Sequence, residues 1–121
     1  MKNFNIFAKD TVVEKVNGKE FIIAKKSTNK TLFKVTLVLG GNDLPFVKEV
    51  IHKLHQTFKN RVKKIERSIS NPDCKLVFYA WGTFTVIVKV KTLKGDSFQF
   101  SHPLQFGSEV QSGKYSFKYK Q

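Results

Sequence analysis

Hydrophobic and polar residues alternate with a period of two along most of this chain. In Thr83-Phe-Thr-Val-Ile-Val-Lys-Val-Lys-Thr92, Phe84, Val86, Val88 and Val90 fall on one face and Thr83, Thr85, Lys89 and Lys91 on the other, the pattern of an antiparallel strand with one face buried. Phe33, Val35, Leu37 and Leu39 repeat it, as do Phe98 with Phe100 and Tyr115 with Phe117 and Tyr119, all residue types that suit a pleated surface. Asn17-Gly18 and Lys94-Gly95-Asp96 supply the positive φ of tight hairpin turns. Gly40-Gly-Asn-Asp43 and Ser70-Asn-Pro-Asp73 break the middle of the chain, and Gly107-Ser-Glu-Val-Gln-Ser-Gly113 reads as a longer loop before the last strand. The segment Phe46–His55 is ambiguous, because Val47, Ile51 and Leu54 lie at helical spacing while Val50, His52 and Leu54 lie at strand spacing; its context favours strand. The count is eight or nine short strands spaced as in a sandwich, so the fold class is all-β, an antiparallel β-sandwich.

Composition narrows the class further. The 121 residues, 40% of them hydrophobic, are enough for one core and too few for two, which predicts a single domain over residues 1–121. Twenty-two Lys and Arg against nine Asp and Glu give a net charge of +13, which attracts acidic partners, nucleic acid among them, and repels basic ones. No apolar run approaches the length of a membrane span, and Met1–Asp10 lacks a signal-like hydrophobic region. The single cysteine, Cys74, excludes an internal disulfide and a Cys-based zinc site. A cytoplasmic protein is expected, and the abundance of Lys, Asn, Ile and Phe fits a bacterial source; in a eukaryote the expectation shifts to the nucleus.

The residue pattern argues against catalysis, and no enzyme activity or cofactor is expected. Paired carboxylates and a His with an orienting acid are both missing from the sequence pattern. Gly40-Gly41 lacks the further spacing of a phosphate-cradling loop. His52-x-x-His55 would put two imidazoles on opposite faces of a strand, so no metal site is predicted. Asn29-Lys-Thr31 matches a glycosylation acceptor by chance.

Two segments place aromatic and hydroxyl residues at strand ends: Leu54-His-Gln-Thr-Phe-Lys59 and Tyr79-Ala-Trp-Gly-Thr-Phe84. If pairing continued unbroken through Gly82, Trp81 would share the face of Thr83 and Thr85, away from the core; a bulge at Gly82 would instead turn the indole inward. These segments, in this order and spacing, resemble the YEATS domain, in which a strand ends in His-x-Ser/Thr-Phe and a later loop reads Gly-Trp/Tyr-Gly/Ala-x-Phe. With Phe-Lys-Asn-Arg-Val after the first motif and Ala-Trp-Gly in the second, the chain looks most like the prokaryotic branch. The likeness runs from Thr31 to Phe106 and is strongest from Val47 to Val90.

The resemblance implies an immunoglobulin-like β-sandwich of about eight strands and a non-enzymatic binding module whose end loops form an aromatic slot for a neutral planar group such as an acylated lysine in a peptide or protein. Carried over by position, Phe58 and Trp81 would be facing walls, Thr57 the hydroxyl on the acyl amide, and the backbone of Trp81 and Gly82 further polar contacts. His55, Ala80 and Thr83 would border the slot. Three departures shape the expected ligand. Thr28-Asn29-Lys30 offers no aromatic where acyl-lysine readers carry a further one. Ala80 replaces a glycine where the ligand passes. Ser101-His-Pro103 holds no carboxylate for a basic histone tail. Two alternatives stand beside this reading: a basic nucleic-acid-binding domain using Lys59, Arg61, Lys63, Lys64 and Arg67, and a protein-interaction or signalling module without an acyl-lysine pocket.

Overall fold

A computed structural model describes residues 4–120 and folds them into two facing sheets. Ten strands are present among these residues: β1 (Phe7–Thr11), β2 (Val13–Val16), β3 (Lys19–Ser27), β4 (Lys30–Gly40), β5 (Val47–Lys53), β6 (Val62–Glu66), β7 (Leu76–Ala80), β8 (Thr85–Thr92), β9 (Ser97–Pro103) and β10 (Ser116–Lys120). One sheet runs β6-β5-β8-β9; the other holds β1, β2, β3, β4, β7 and β10. The alternation read from the sequence sets their inner faces, with Val35, Leu37 and Leu39 of β4 packed across from Val86, Val88 and Val90 of β8. Asn17 and Gly18 both have positive φ in the β2–β3 turn, as does Gly95 in the β8–β9 turn.

The ambiguous Phe46–His55 segment is strand β5, and its mixed pattern has a local cause. The β5–β8 register shifts between Val47 and Glu49, which inserts an extra residue and reverses the side-chain parity. Val47 and Val50 therefore both face the core although they are three apart.

The structure departs from the sequence expectation in four places. The strand count is ten against eight or nine, in part because the N-terminal segment reverses at Val12: β1 is antiparallel to β4 and β2 antiparallel to β3. The last strand, β10, pairs with β3 in parallel. Strand β8 begins at Thr85, not Thr83, so Phe84 lies outside the ladder. The segment read as a loop contains a short helix, α1 (Phe106–Gln111).

That helix is held by carboxylates that lie far away in sequence. Asp10 accepts the backbone N–H of Gln105 (2.9 and 3.0 Å) and of Phe106 (2.9 Å), and its Oδ1 also bonds His102 Nε2 at 2.8 Å. Glu109 reaches back to the reversal and accepts Val12 N–H at 2.8 Å and the Thr11 hydroxyl at 2.6 Å. The donors freed by the chain reversal and by the helix start thus find acceptors. The two acids tie α1 to the first strand and seat Phe106, 2% exposed, against Phe33. No helix among the described residues is long and apolar enough to cross a membrane.

Candidate functional site

At one end of the sandwich, the β5–β6 loop and the β7–β8 connection meet the β3–β4 turn. Leu54, buried, anchors the first loop, and its N–H bonds Arg61 O at 2.6 Å. Inside that closure a tighter turn forms, with Phe58 N–H on His55 O at 3.0 Å. His55 Nδ1 accepts the Thr57 backbone N–H at 3.2 Å and lies 2.9 Å from Thr57 Oγ1. In the tautomer that leaves Nδ1 unprotonated, the Thr57 hydroxyl donates to it and keeps its own lone pairs for an outside donor.

The loop turns the Phe58 ring inward. It meets Phe78 edge-on at 5.8 Å and Phe84 at 5.4 Å, while His55 lies 5.8 Å from Phe84. Three aromatics from three segments therefore form the floor at this end of the core. Trp81 behaves differently. Strand β7 stops at Ala80, and Trp81 stands 60% exposed beyond it, so the inward-turned indole does not occur. Lys30 Nζ lies 4.9 Å from the centre of its ring.

Together these segments enclose a cleft of about 550 Å³, within the range of small-ligand sites. His55, Thr57, Phe58, Ala80, Trp81, Gly82 and Thr83 all line it. Ser27, Leu32, Tyr79 and Phe84, which the sequence reading did not single out, line it too, as does Lys30, which the resemblance placed where other readers carry an aromatic; Tyr79 and Phe84 flank the second motif, whereas no residue pattern in the β3–β4 turn itself marks a site. Two positions differ in role from the resemblance. The Ala80 methyl belongs to the core and the residue is 3% exposed, so it does not block the cleft. A Cβ at Gly82 would meet no atom within 4 Å, and Gly82 is not among the positive-φ residues, so neither packing nor backbone geometry requires glycine there.

The cleft wall includes one lysine, Lys30, and no carboxylate. His52, three residues before His55, points the other way: it is fully buried and its pKa is held down to about 4, chiefly by burial and secondarily by the nearby His102. No group of three or more metal-binding side chains occurs among the described residues.

The basic run after Phe58 does not form one surface. Lys59 and Arg61 are exposed in the loop, Lys63 is half-buried, and Lys64 lies 3.7 Å from Glu49. Arg67 is committed to the loops at the opposite end, with Nε on Pro72 O at 2.9 Å and Nη1 on Pro45 O at 3.5 Å.

The chain is thus a two-layer β-sandwich whose end loops carry a cleft of aromatic and hydroxyl residues. The chain belongs to the prokaryotic YEATS domain family, whose model matches residues 33–105. Protein AF-9 homolog of Candida albicans is 34% identical to it over 76 residues, covering 56% of this chain and 28% of that protein; the chain spans little more than a quarter of that relative's length. Among solved structures, the yeast AF-9 homolog Yaf9 superposes with a TM-score of 0.59 at 25% identity, over 85% of this chain and 67% of that one. The Yaf9 YEATS domain recognising a succinylated histone H3 peptide gives a TM-score of 0.60 at 23% identity, over 91% and 81%. The same domain bound to an acetylated H3 peptide gives 0.54 at 21%, over 88% and 79%.

Proposed function

We propose that this protein is a non-enzymatic reader that holds the neutral amide of an acylated lysine between Phe58 and Trp81. The observation that carries the reading is the convergence of Phe58, Thr57, Trp81 and Gly82 on one cleft, in a chain whose fold is similar to that of Yaf9 YEATS domains bound to acetylated and succinylated H3 peptides. Acylation turns an ammonium into a flat, uncharged amide that stacks on aromatic faces. The outward lone pairs of Thr57 Oγ1 accept its N–H, and backbone N–H groups of the Trp81–Gly82 turn suit its oxygen.

The same chemistry rejects unmodified lysine. Stripping water from an ammonium costs several kcal/mol where no carboxylate compensates, more than the roughly 0.5–2 kcal/mol of a cation–π contact. Lys30 in the wall adds repulsion. The net charge of +13 and the absence of acids in Ser101-His-Pro103 point to a carrier peptide that is not a basic histone tail. NMR titration with acetyl- and crotonyl-lysine peptides is expected to shift the amides of Thr57, Phe58, Trp81 and Gly82. Uniform silence of those amides at millimolar peptide would reject the proposal.

A further inference from the structure

The outer face of the six-stranded sheet carries an arrangement of lysines and rings that extends well beyond the cleft and shares only Lys30, Tyr79 and Trp81 with it. The register puts odd-numbered residues of β3 and β7, and even-numbered residues of β4 and β10, on that face. Those positions present Lys19, Lys25, Lys30, Lys34, Lys118 and Lys120 and no carboxylate. Glu14 of the neighbouring β2 adds one acid, bound to Lys34 at 3.0 Å. The outer face of the other sheet sets Lys53, Lys64, Lys89 and Lys91 against Glu49 and Glu66. The excess at these positions is thus 6 − 1 = +5 on the first face against 4 − 2 = +2 on the second, so the imbalance is greater on one side of the sandwich.

Rings are interleaved with these cations. Lys118 lies over Phe21 at 5.8 Å, Lys25 over Tyr79 at 4.3 Å and Lys30 over Trp81 at 4.9 Å. The three pairs cross the sheet from β10 to the end of β7, where the exposed indole stands. Trp81 is exposed and Phe21 and Tyr79 are half-buried; an ammonium resting on a ring that water reaches is weakly held, so a phosphate can draw it away and leave the ring face to a base. Stacking of this kind tolerates any sequence, because every base has a π-face. An acidic polypeptide would satisfy the lysines but supply nothing flat to the rings.

We propose that this lysine–aromatic face binds single-stranded nucleic acid, with phosphates on the lysine ammoniums and bases on Tyr79 and Trp81. Trp81 is the one tryptophan in the chain, so its fluorescence reports occupancy directly. A fluorescent oligo-dT of about 15 nucleotides should bind the full chain, quench Trp81, and lose affinity about tenfold or more between ~50 and ~200 mM salt. The double variant Lys25→Glu/Lys118→Glu should weaken binding about tenfold or more, whereas Lys89→Glu/Lys91→Glu should change it no more than about threefold. Both doubles alter net charge equally, so the contrast isolates the face from the overall field, and far-UV circular dichroism checks that each is folded. Equal losses in the two doubles would overturn the proposal. So would tighter binding of a duplex of the same length, equal competition by polyglutamate, or no binding at ~50 mM salt. None of these results depends on whether the cleft takes acyl-lysine.

Discussion

Acidification should weaken the fold through His52, by an amount the structure allows to be worked out. The side chain lies on the inner face of β5, registered against Val88 on β8. It is fully buried, and neither ring nitrogen has a hydrogen-bond partner. Burial above all, and His102 after it, hold the pKa down to about 4 from the ordinary imidazole value of 6.5. The fold thus favours neutral imidazole, while the unfolded chain takes up a proton around pH 6.5. The contribution is fully present above pH 6.5 and is lost as pH falls toward 4. The drop from 6.5 to about 4, at about 1.4 kcal/mol per factor of ten, amounts to about 3.5 kcal/mol in full, of which about 3 kcal/mol is lost by pH 4, a large share of a typical 5–15 kcal/mol. Urea unfolding of the wild type and His52→Leu, followed by Trp81 fluorescence and far-UV circular dichroism near pH 7.5 and pH 4, tests this. The variant should gain about 3 kcal/mol on the wild type between the two pH values. It should also be no less stable at the higher pH, because leucine removes two buried polar atoms without partners. If the two proteins lose stability in parallel on acidification, the reasoning about His52 is wrong.

Other parts of the structure make further predictions. Gly82→Ala should leave stability within about 0.5 kcal/mol of wild type, because its Cβ meets open space, yet narrow the cleft and weaken binding of an acetyl-lysine peptide by fluorescence titration. Asp10→Ala should cost about 2–4 kcal/mol in denaturant unfolding, since it strands the buried N–H of Phe106, the part-buried N–H of Gln105 and His102; a loss below about 1 kcal/mol would show that Asp10 does not hold α1. Cys74 is fully buried, and burial above all pushes its thiol up to about 11, so a disulfide reagent near pH 8 should label it only as fast as the protein opens.

The sequence revealed local structure better than long-range structure. The β4 and β8 faces were legible because each strand buries one side along an uninterrupted ladder. The β5 pattern was obscured by its bulge at Lys48, which no local residue announces. Helix α1 was invisible because its anchor, Asp10, stands 96 residues before Phe106 and Gln105 supplies no side-chain cap. At the cleft, the two motif segments were legible because each packs its chemistry into a few consecutive residues. Ser27 and Leu32 were not, and Lys30 was placed there only by the family resemblance, since the β3–β4 turn reaches the site through the pairing of Phe33 with Ala80. Phe58 and Trp81 read alike as slot walls, but packing separates them: one ring rests on Phe78 and Phe84, and the other stands free under a lysine.

The central claim is that this cleft prefers a neutral amide to a charged amine. Calorimetry with one non-histone peptide in two forms, unmodified and acetylated at a single lysine, addresses it most directly, using wild type and Thr57→Val. The account predicts that the acetylated form binds at least tenfold more tightly to wild type, about 1.4 kcal/mol, and that Thr57→Val removes about 0.5–1.5 kcal/mol of its affinity. Equal binding of the two forms, or tighter binding of the unmodified one, would contradict it.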